Sequence, residues 1–490
     1  MNKIIKIGIL KPLSFRTQKV KLLSFKTAIA SVLCIWAMTA FAELPAPVAT
    51  ALKQAGIPQS AVAVYVQAVD AQTPSISHNA DKSMNPASVV KLVTTHAALD
   101  LLSPVFRWKT QIYRDGELLN GFVNGNLIIK GFGDPSLNEA ELRRLLVSLR
   151  QAGVKRIGGN VVLDKTYFAK NVGPRNTFDA ETWRAYNAGP SALMVNGRNT
   201  SFKFSAQNGV VVVNQEVEIP EINIINNMQA SNVGCGDWRN KMGYTVKPKS
   251  NGADITFNGT FSAECGDKYL ELSLLDDEKY AFYLFKKLWR ELGGHFTGKY
   301  KTQDSMPDSA VKLVEQTSQP LAYVIRDMNK WSNNMMARQL LLTIAAEQLG
   351  APATEAKGAQ AIKTWLISKN IQADELVIEN GSGLSRIERI SAAHLGQMLL
   401  NGFQSPIMSE LMASLSIMGL DGTAQKRLVN TQAQGRAHLK TGSLDGVSAI
   451  AGYVLDKQNQ RHVLVMMVNH ANAAGSKAAQ DALLDWAYAQ

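Results

Sequence analysis

The spacing of apolar positions changes character several times along the chain. Ala28 to Phe41 is an apolar run without a single charge. A short helical pattern over Pro47–Gln54 precedes Ala61–Val69, whose alternation predicts a strand. Behind Pro86, the apolar residues Val89, Val90, Val93, Ala97 and Leu99 predict a buried helix that starts near Ser88 and ends near Ser103-Pro104. From Phe106 short strand-like runs take over. Trp108–Tyr113 and Gly125–Lys130 are separated by the turn signals Asp115-Gly116 and Asn124-Gly125. A helix over Glu139–Ala152 leads into a strand at Asn160–Asp164, and Asn208-Gly209, Asn251-Gly252 and Asn258-Gly259 predict hairpins up to about Leu275.

Helical spacing returns after residue 305. Leu321–Lys330 and Met335–Gln348 are helix patterns on either side of Trp331-Ser332-Asn333-Asn334. Further helices are predicted over Glu355–Ser368, with Thr354 as N-cap, over Ala392–Asn401 and over Met408–Ser414. The end of the chain reads strand, strand, helix: Ala437 through Gly442 to Val454, His462–Val468, then Lys477–Ala489. This order predicts one sheet covered by helices, in which the early strand joins the terminal strands. Residues 106–305 then interrupt a discontinuous unit made of 43–105 and 306–490.

A length of 490 residues exceeds one ordinary core, and 46% hydrophobic with 19% charged residues is a globular composition. Residues 1–42 stand apart, with seven basic residues, no acidic one, the apolar run and Ala40-Phe41-Ala42 at its end. That is the pattern of a secretory signal cleaved after Ala42, with no stable transmembrane anchor left behind. Of the 52 basic residues, removal of those seven leaves 45 against 40 acidic ones. The net charge drops from +12 to +5, too little to imply a nucleic-acid partner. Export to an oxidising compartment, the periplasm, leaves Cys235 and Cys265, which are expected to be bridged; two free buried thiols are the alternative. A bridge there would stabilise the fold by about 3–4 kcal/mol on the chain-entropy model.

Ser88 and Lys91 are three apart and would share a helical face. A lysine in that apolar setting is costly when charged, so burial would lower its pKa towards that of a general base for a neighbouring serine nucleophile. The pattern alone is common, and Ser309-Ala310-Val311-Lys312 repeats it. What raises its weight is order. Ser332-Asn333-Asn334 sits between two helices, and Lys440-Thr441-Gly442, a tripeptide occurring once, lies on a predicted strand. Ser-x-Asn by itself also occurs at Ser83-Met84-Asn85 and Ser136-Leu137-Asn138. Ser332 could relay a proton to a leaving amine, Asn334 bind an amide, Lys440 supply positive charge, and Thr441 hydrogen-bond a carboxylate. Gly442 would let a substrate backbone approach, and the N–H groups of Ser88 and Ser443 could form an oxyanion hole. His96 and His438 read as packed polar residues, and no metal-ligand spacing or cofactor motif is present.

This trio is the signature of penicillin-binding proteins and serine β-lactamases. Five longer stretches narrow the match: Asn85-Pro86-Ala87-Ser88, Gly131-Phe132-Gly133-Asp134-Pro135-Ser136-Leu137, Tyr186-Asn187-Ala188-Gly189-Pro190-Ser191-Ala192-Leu193, Gly381-Ser382-Gly383-Leu384-Ser385-Arg386 and Gly419-Leu420-Asp421-Gly422-Thr423. With them the chain resembles the D-alanyl-D-alanine carboxypeptidase/endopeptidases, the class C low-molecular-mass penicillin-binding proteins of peptidase family S13. The resemblance implies an α/β fold: a transpeptidase/β-lactamase-like domain, an antiparallel sheet flanked by helices, with a β-rich two-domain insertion. It implies hydrolysis of the D-Ala-D-Ala bond of peptidoglycan stem peptides, and of cross-links, with β-lactam antibiotics as acylating inhibitors. Asp134 reads most simply as a turn residue; the alternative is a substrate-binding carboxylate reaching the site from the insertion. A β-lactamase shares the trio but not the long insertion, and a non-catalytic envelope-binding protein would not need every trio position filled.

Overall fold

A computed structural model describes residues 43–173, 178–179, 181–303 and 305–490. The expected signal segment lies outside them. Among the described residues, no helix is long and apolar enough to cross a membrane.

The sheet that carries Lys440 has six antiparallel strands, in the order Ser416–Ile417, Ala437–Leu444, Val447–Leu455, Arg461–Asn469, Val62–Ala68, Ile76–His78. The early strand therefore pairs with strands from the far end of the chain, Val62 opposite Val468. Strand periodicity sorts its side chains between two cores. Val62, Val64 and Val66 pack with Leu464, Met466 and Val468 beneath the helices Ala46–Gln54 and Lys477–Tyr488. Ala63, Tyr65, Val463, Val465 and Met467 face the other way, into the layer built from Lys91–Leu102, Leu321–Lys330, Asn334–Leu349, Glu355–Ser368 and Ala392–Gln404. Both faces are covered, so the central strands are apolar throughout rather than alternating.

Helix boundaries follow their capping residues. Asn333 accepts from Met336 N, Thr354 from Lys357 N and Ser391 from His394 N, each supplying an oxygen to an otherwise unpaired first-turn donor. The expected single strand from Ala437 to Val454 is instead a hairpin, broken at Asp445-Gly446 where Gly446 takes a φ of 75°.

Among its described residues the inserted chain forms four sheets. A five-stranded sheet has the order Tyr300–Gln303, Val161–Asp164, Leu127–Gly131, Lys109–Arg114, Val311–Thr317. Val311–Thr317 pairs with Lys109–Arg114, so the boundary expected at 306 falls too early; the helical layer resumes only at Leu321. Asp115-Gly116 and Asn124-Gly125 do not close hairpins: each joins strands of different sheets. The hairpin between them turns at Asn120-Gly121, both with positive φ, as a two-residue turn requires. Asn208-Gly209 and Asn251-Gly252 lie at hairpin turns. Asn258-Gly259 does not: it lies inside the strand Gly252–Ser262, where Gly259 has a φ of 105° and a Cβ would come 2.3 Å from Lys241 O. Cys235 and Cys265 form a disulfide across 30 residues, beside the core that the insertion's sheets share.

Candidate active site

Ser88 lies in a one-turn 3₁₀ segment, Ala87–Val90, that runs into the α-helix Lys91–Leu102. Its approach is strained. Ala87, fully buried, has a φ of 46°, a region that costs a non-glycine residue about 1–2 kcal/mol. Asn85 holds this backbone: its side-chain oxygen accepts from Ala87 N at 2.8 Å and its amide donates to Ser385 O at 2.9 Å. Ser332, in the three-residue break between Leu321–Lys330 and Asn334–Leu349, also has a positive φ, 56°. Both serines thus sit on backbone that the surrounding packing must enforce.

The fold brings three distant segments together. Lys91 Nζ lies 3.0 Å from Ser88 Oγ and 2.7 Å from Asn334 Oδ1, and it donates to the Ser382 carbonyl. Lys440 Nζ donates to Ser332 Oγ at 2.8 Å and to the carbonyl of Thr441 at 2.7 Å. Thr441 Oγ1 is 2.8 Å from Thr423 Oγ1. Both lysines have no exposed surface, whereas Ser88, Ser332 and Asn334 are half-buried. Burial is the largest force on Lys91 and, with the neighbouring Lys440, holds its amine well below the ordinary lysine range; Glu388 opposes them. Burial alone pushes Lys440 down to about 7. The hydrogen-bond partners of Lys91 are neutral oxygens, so no ion pair at contact distance offsets the cost of burying its charge.

Gly442 serves a closer neighbour than the sequence suggests. A Cβ there would come 2.8 Å from Pro86 O and 2.9 Å from Ser88 N, so it admits the protein's own backbone. Gly383 does the same from the other side, where a Cβ would come 2.1 Å from Ala87 O. Beyond Leu439 the outer edge of the Ala437–Leu444 strand has no partner strand among the described residues, because Ser416–Ile417 covers only His438 and Leu439. Ser443 is exposed along that edge.

Trp331, Ser332, Asn334 and Ser443 line a cleft of about 650 Å³ together with Asp179 and Arg386. The Arg386 guanidinium stacks 4.4 Å from the Phe178 ring centroid, and Asp179 accepts from Tyr186 at 2.9 Å and Asn187 at 2.8 Å. Trp331, Asp179, Arg386 and Ser382 were not singled out from the sequence as site residues; a lone aromatic or charge in a loop carries no signal until the fold gathers it. Asp134 is not among them. It is buried, 6% exposed, and its Oδ1 accepts from the backbone and hydroxyl of Ser136 at 2.8 and 2.7 Å. It caps a turn. Among the described residues, no group of acidic, histidine or cysteine side chains is placed to hold a metal.

A buried lysine against a half-exposed serine, on a helix-covered antiparallel sheet, defines a serine enzyme of acyl transfer. The family follows from the whole chain: the model of the D-Ala-D-Ala carboxypeptidase 3 (S13) family matches residues 44–490, and the chain belongs to that family. It is a serine-type D-Ala-D-Ala carboxypeptidase. It is 25% identical over 397 residues to D-alanyl-D-alanine carboxypeptidase DacB of Haemophilus influenzae, covering 80% of this chain and 82% of that protein. A crystal structure of penicillin binding protein 4 (dacB) from Haemophilus influenzae matches with a TM-score of 0.76 at 24% identity, over 90% of this chain and 99% of that one. The same protein complexed with a novel β-lactam matches with a TM-score of 0.72 at 23% identity, over the same shares of the two chains.

Proposed function

We propose that Ser88 is the acylated nucleophile of a periplasmic enzyme that removes the terminal D-Ala of peptidoglycan stem peptides and also cleaves their cross-links. The observation that carries this reading is the Lys91 amine, fully buried among neutral partners and 3.0 Å from Ser88 Oγ. Lys91 takes the Ser88 proton as Oγ bonds to the carbonyl carbon of the penultimate residue. The developing oxyanion is held by the N–H groups of Ser88 and Ser443. Asn334 spends its oxygen on Lys91, which leaves its amide N–H₂ to bind a substrate carbonyl. Ser332, against Lys440, passes a proton to the departing amine, and water then releases the acyl group. Thr441 receives the terminal carboxylate, and the buried Lys440 supplies the positive charge that favours it.

The substrate backbone would add to the unpaired edge that begins at Lys440, with its side chains in the cleft between Trp331 and Arg386. A β-lactam would follow the same course and remain on Ser88; the Haemophilus influenzae relative is known complexed with a β-lactam. The domain partition that goes with this reading is a catalytic unit of 43–105 and 319–490, an insertion of two nested parts between them, and a signal segment over 1–42.

Mass spectrometry of purified muropeptides tests the reading. Loss of one alanine is expected, together with conversion of dimers to monomers. Intact pentapeptides after prolonged incubation would sink the carboxypeptidase activity, and intact dimers the endopeptidase one.

A further inference from the structure

Behind the catalytic pair lies a fully buried carboxyl, Glu388, on the segment that follows Gly381-Ser382-Gly383. Burying a carboxyl is costly unless it is well bonded. Glu388 Oε1 accepts from the backbone N–H groups of Asn380 at 3.0 Å and Gly381 at 2.9 Å, while Oε2 is buried with no hydrogen-bond partner among the described residues. The turn it organises is held again by Asn380, whose Oδ1 accepts from the N–H and hydroxyl of Ser382 at 2.9 and 2.6 Å, and by Thr94 Oγ1, which donates to Gly381 O at 2.9 Å. The outcome is one aimed carbonyl. Ser382 O accepts from Lys91 Nζ and lies 3.5 Å from Ser88 Oγ.

We infer that Glu388 is the positioning residue of the Ser88–Lys91 pair: it sets the turn whose Ser382 carbonyl clamps the amine, and it supplies the negative charge that compensates the ammonium formed there. The inference rests on the reading of Ser88 as nucleophile and Lys91 as base. In that step one proton moves from Ser88 Oγ to Lys91 Nζ as the Oγ–carbon bond forms, and Glu388 exchanges no atom. The charged groups that bear on the pair are Lys440 from the strand, and on Glu388 itself Arg338 from the Asn334–Leu349 helix. Burial raises the Glu388 carboxyl, and its two backbone donors and Lys91 oppose that rise.

The test is the rate of acylation by benzylpenicillin against pH, in the full chain. Glu388→Gln keeps an oxygen for both N–H donors and removes the charge. Loss of the anion weakens Lys91 as a base, so the acid limb is expected to move to lower pH by about one unit and the plateau to fall about tenfold. An unmoved limb in this variant overturns the inference. Thr94→Val loosens the same turn without altering charge and is expected to lower the plateau with the limb in place. If Glu388→Gln does not fold, Glu388→Asp decides: a reduced plateau supports the inference and a wild-type plateau overturns it. A wild-type protein that benzylpenicillin does not acylate would instead defeat the underlying assignment of Ser88.

Discussion

The chain carries the same Ser-x-x-Lys spacing twice, and the two copies end in opposite circumstances. Ser88 and Lys91 straddle a 3₁₀ turn and a helix, so three residues bring their side chains onto one face, 3.0 Å apart. Ser309 lies in an exposed turn and Lys312 on the strand Val311–Thr317, where successive side chains point to opposite faces. Lys91 is fully buried with neutral partners. Lys312 has half its side chain in water and pairs with Glu315 at 3.1 Å, an exposed contact of little worth. The spacing becomes chemistry only where backbone period and burial cooperate.

Substitution of each serine is the strongest way to break this contrast. Ser88→Ala should abolish covalent labelling by fluorescent penicillin, and Ser309→Ala should leave it at the wild-type level; labelling that survives the first change would move the nucleophile elsewhere. The lysines come next. Lys91→Ala should slow acylation by about 10²–10⁴-fold in stopped-flow measurements, the range of a lost general base. Replacement of both Cys235 and Cys265 by Ser should lower unfolding stability by about 3 kcal/mol while acylation per folded molecule stays unchanged, because the bridge belongs to the insertion.

A pH effect sharpens the comparison from the side of Lys440. With its amine at about 7 in the free protein, it is charged below that pH and neutral above it. A carboxylate ligand selects the charged form, so its affinity should be flat below pH 7 and weaken about tenfold per unit above it, until the pKa of the liganded state is reached. Calorimetry of a β-lactam with the Ser88→Ala protein measures this without acylation; affinity independent of pH would refute it. The smallest effect belongs to the second copy: Lys312→Ala should change stability by no more than about 0.5 kcal/mol in urea melts and leave activity alone.

Much of the helical layer was legible because its caps and periods are local. Thr354 and the break at Trp331-Ser332-Asn333-Asn334 could be read from neighbouring residues, and the helices begin and end there. The β-rich insertion was harder. Asn120-Gly121 closes a hairpin, yet Asn258-Gly259, of the same composition, sits within a strand whose neighbour crowds the glycine. A dipeptide states which φ values it tolerates, not which strand lies beside it. Val311–Thr317 likewise joins the insertion's sheet through a partner about 200 residues away, information that no window of sequence contains.

By itself the sequence determined the candidate groups and their order: a serine with a lysine three residues on, a second serine with an asparagine two on, and a unique Lys-Thr-Gly before the end. Those are properties of residue type and spacing. Only the tertiary structure decided which serine–lysine pair is buried, that Gly442 and Gly383 make room for the backbone at Ser88, that Asp134 caps a turn, and that Glu388 lies behind Lys91. The physical reason is common to all four. Desolvation, close approach and counter-charge are relations between distant segments, and they exist only once the sheet has drawn both ends of the chain together.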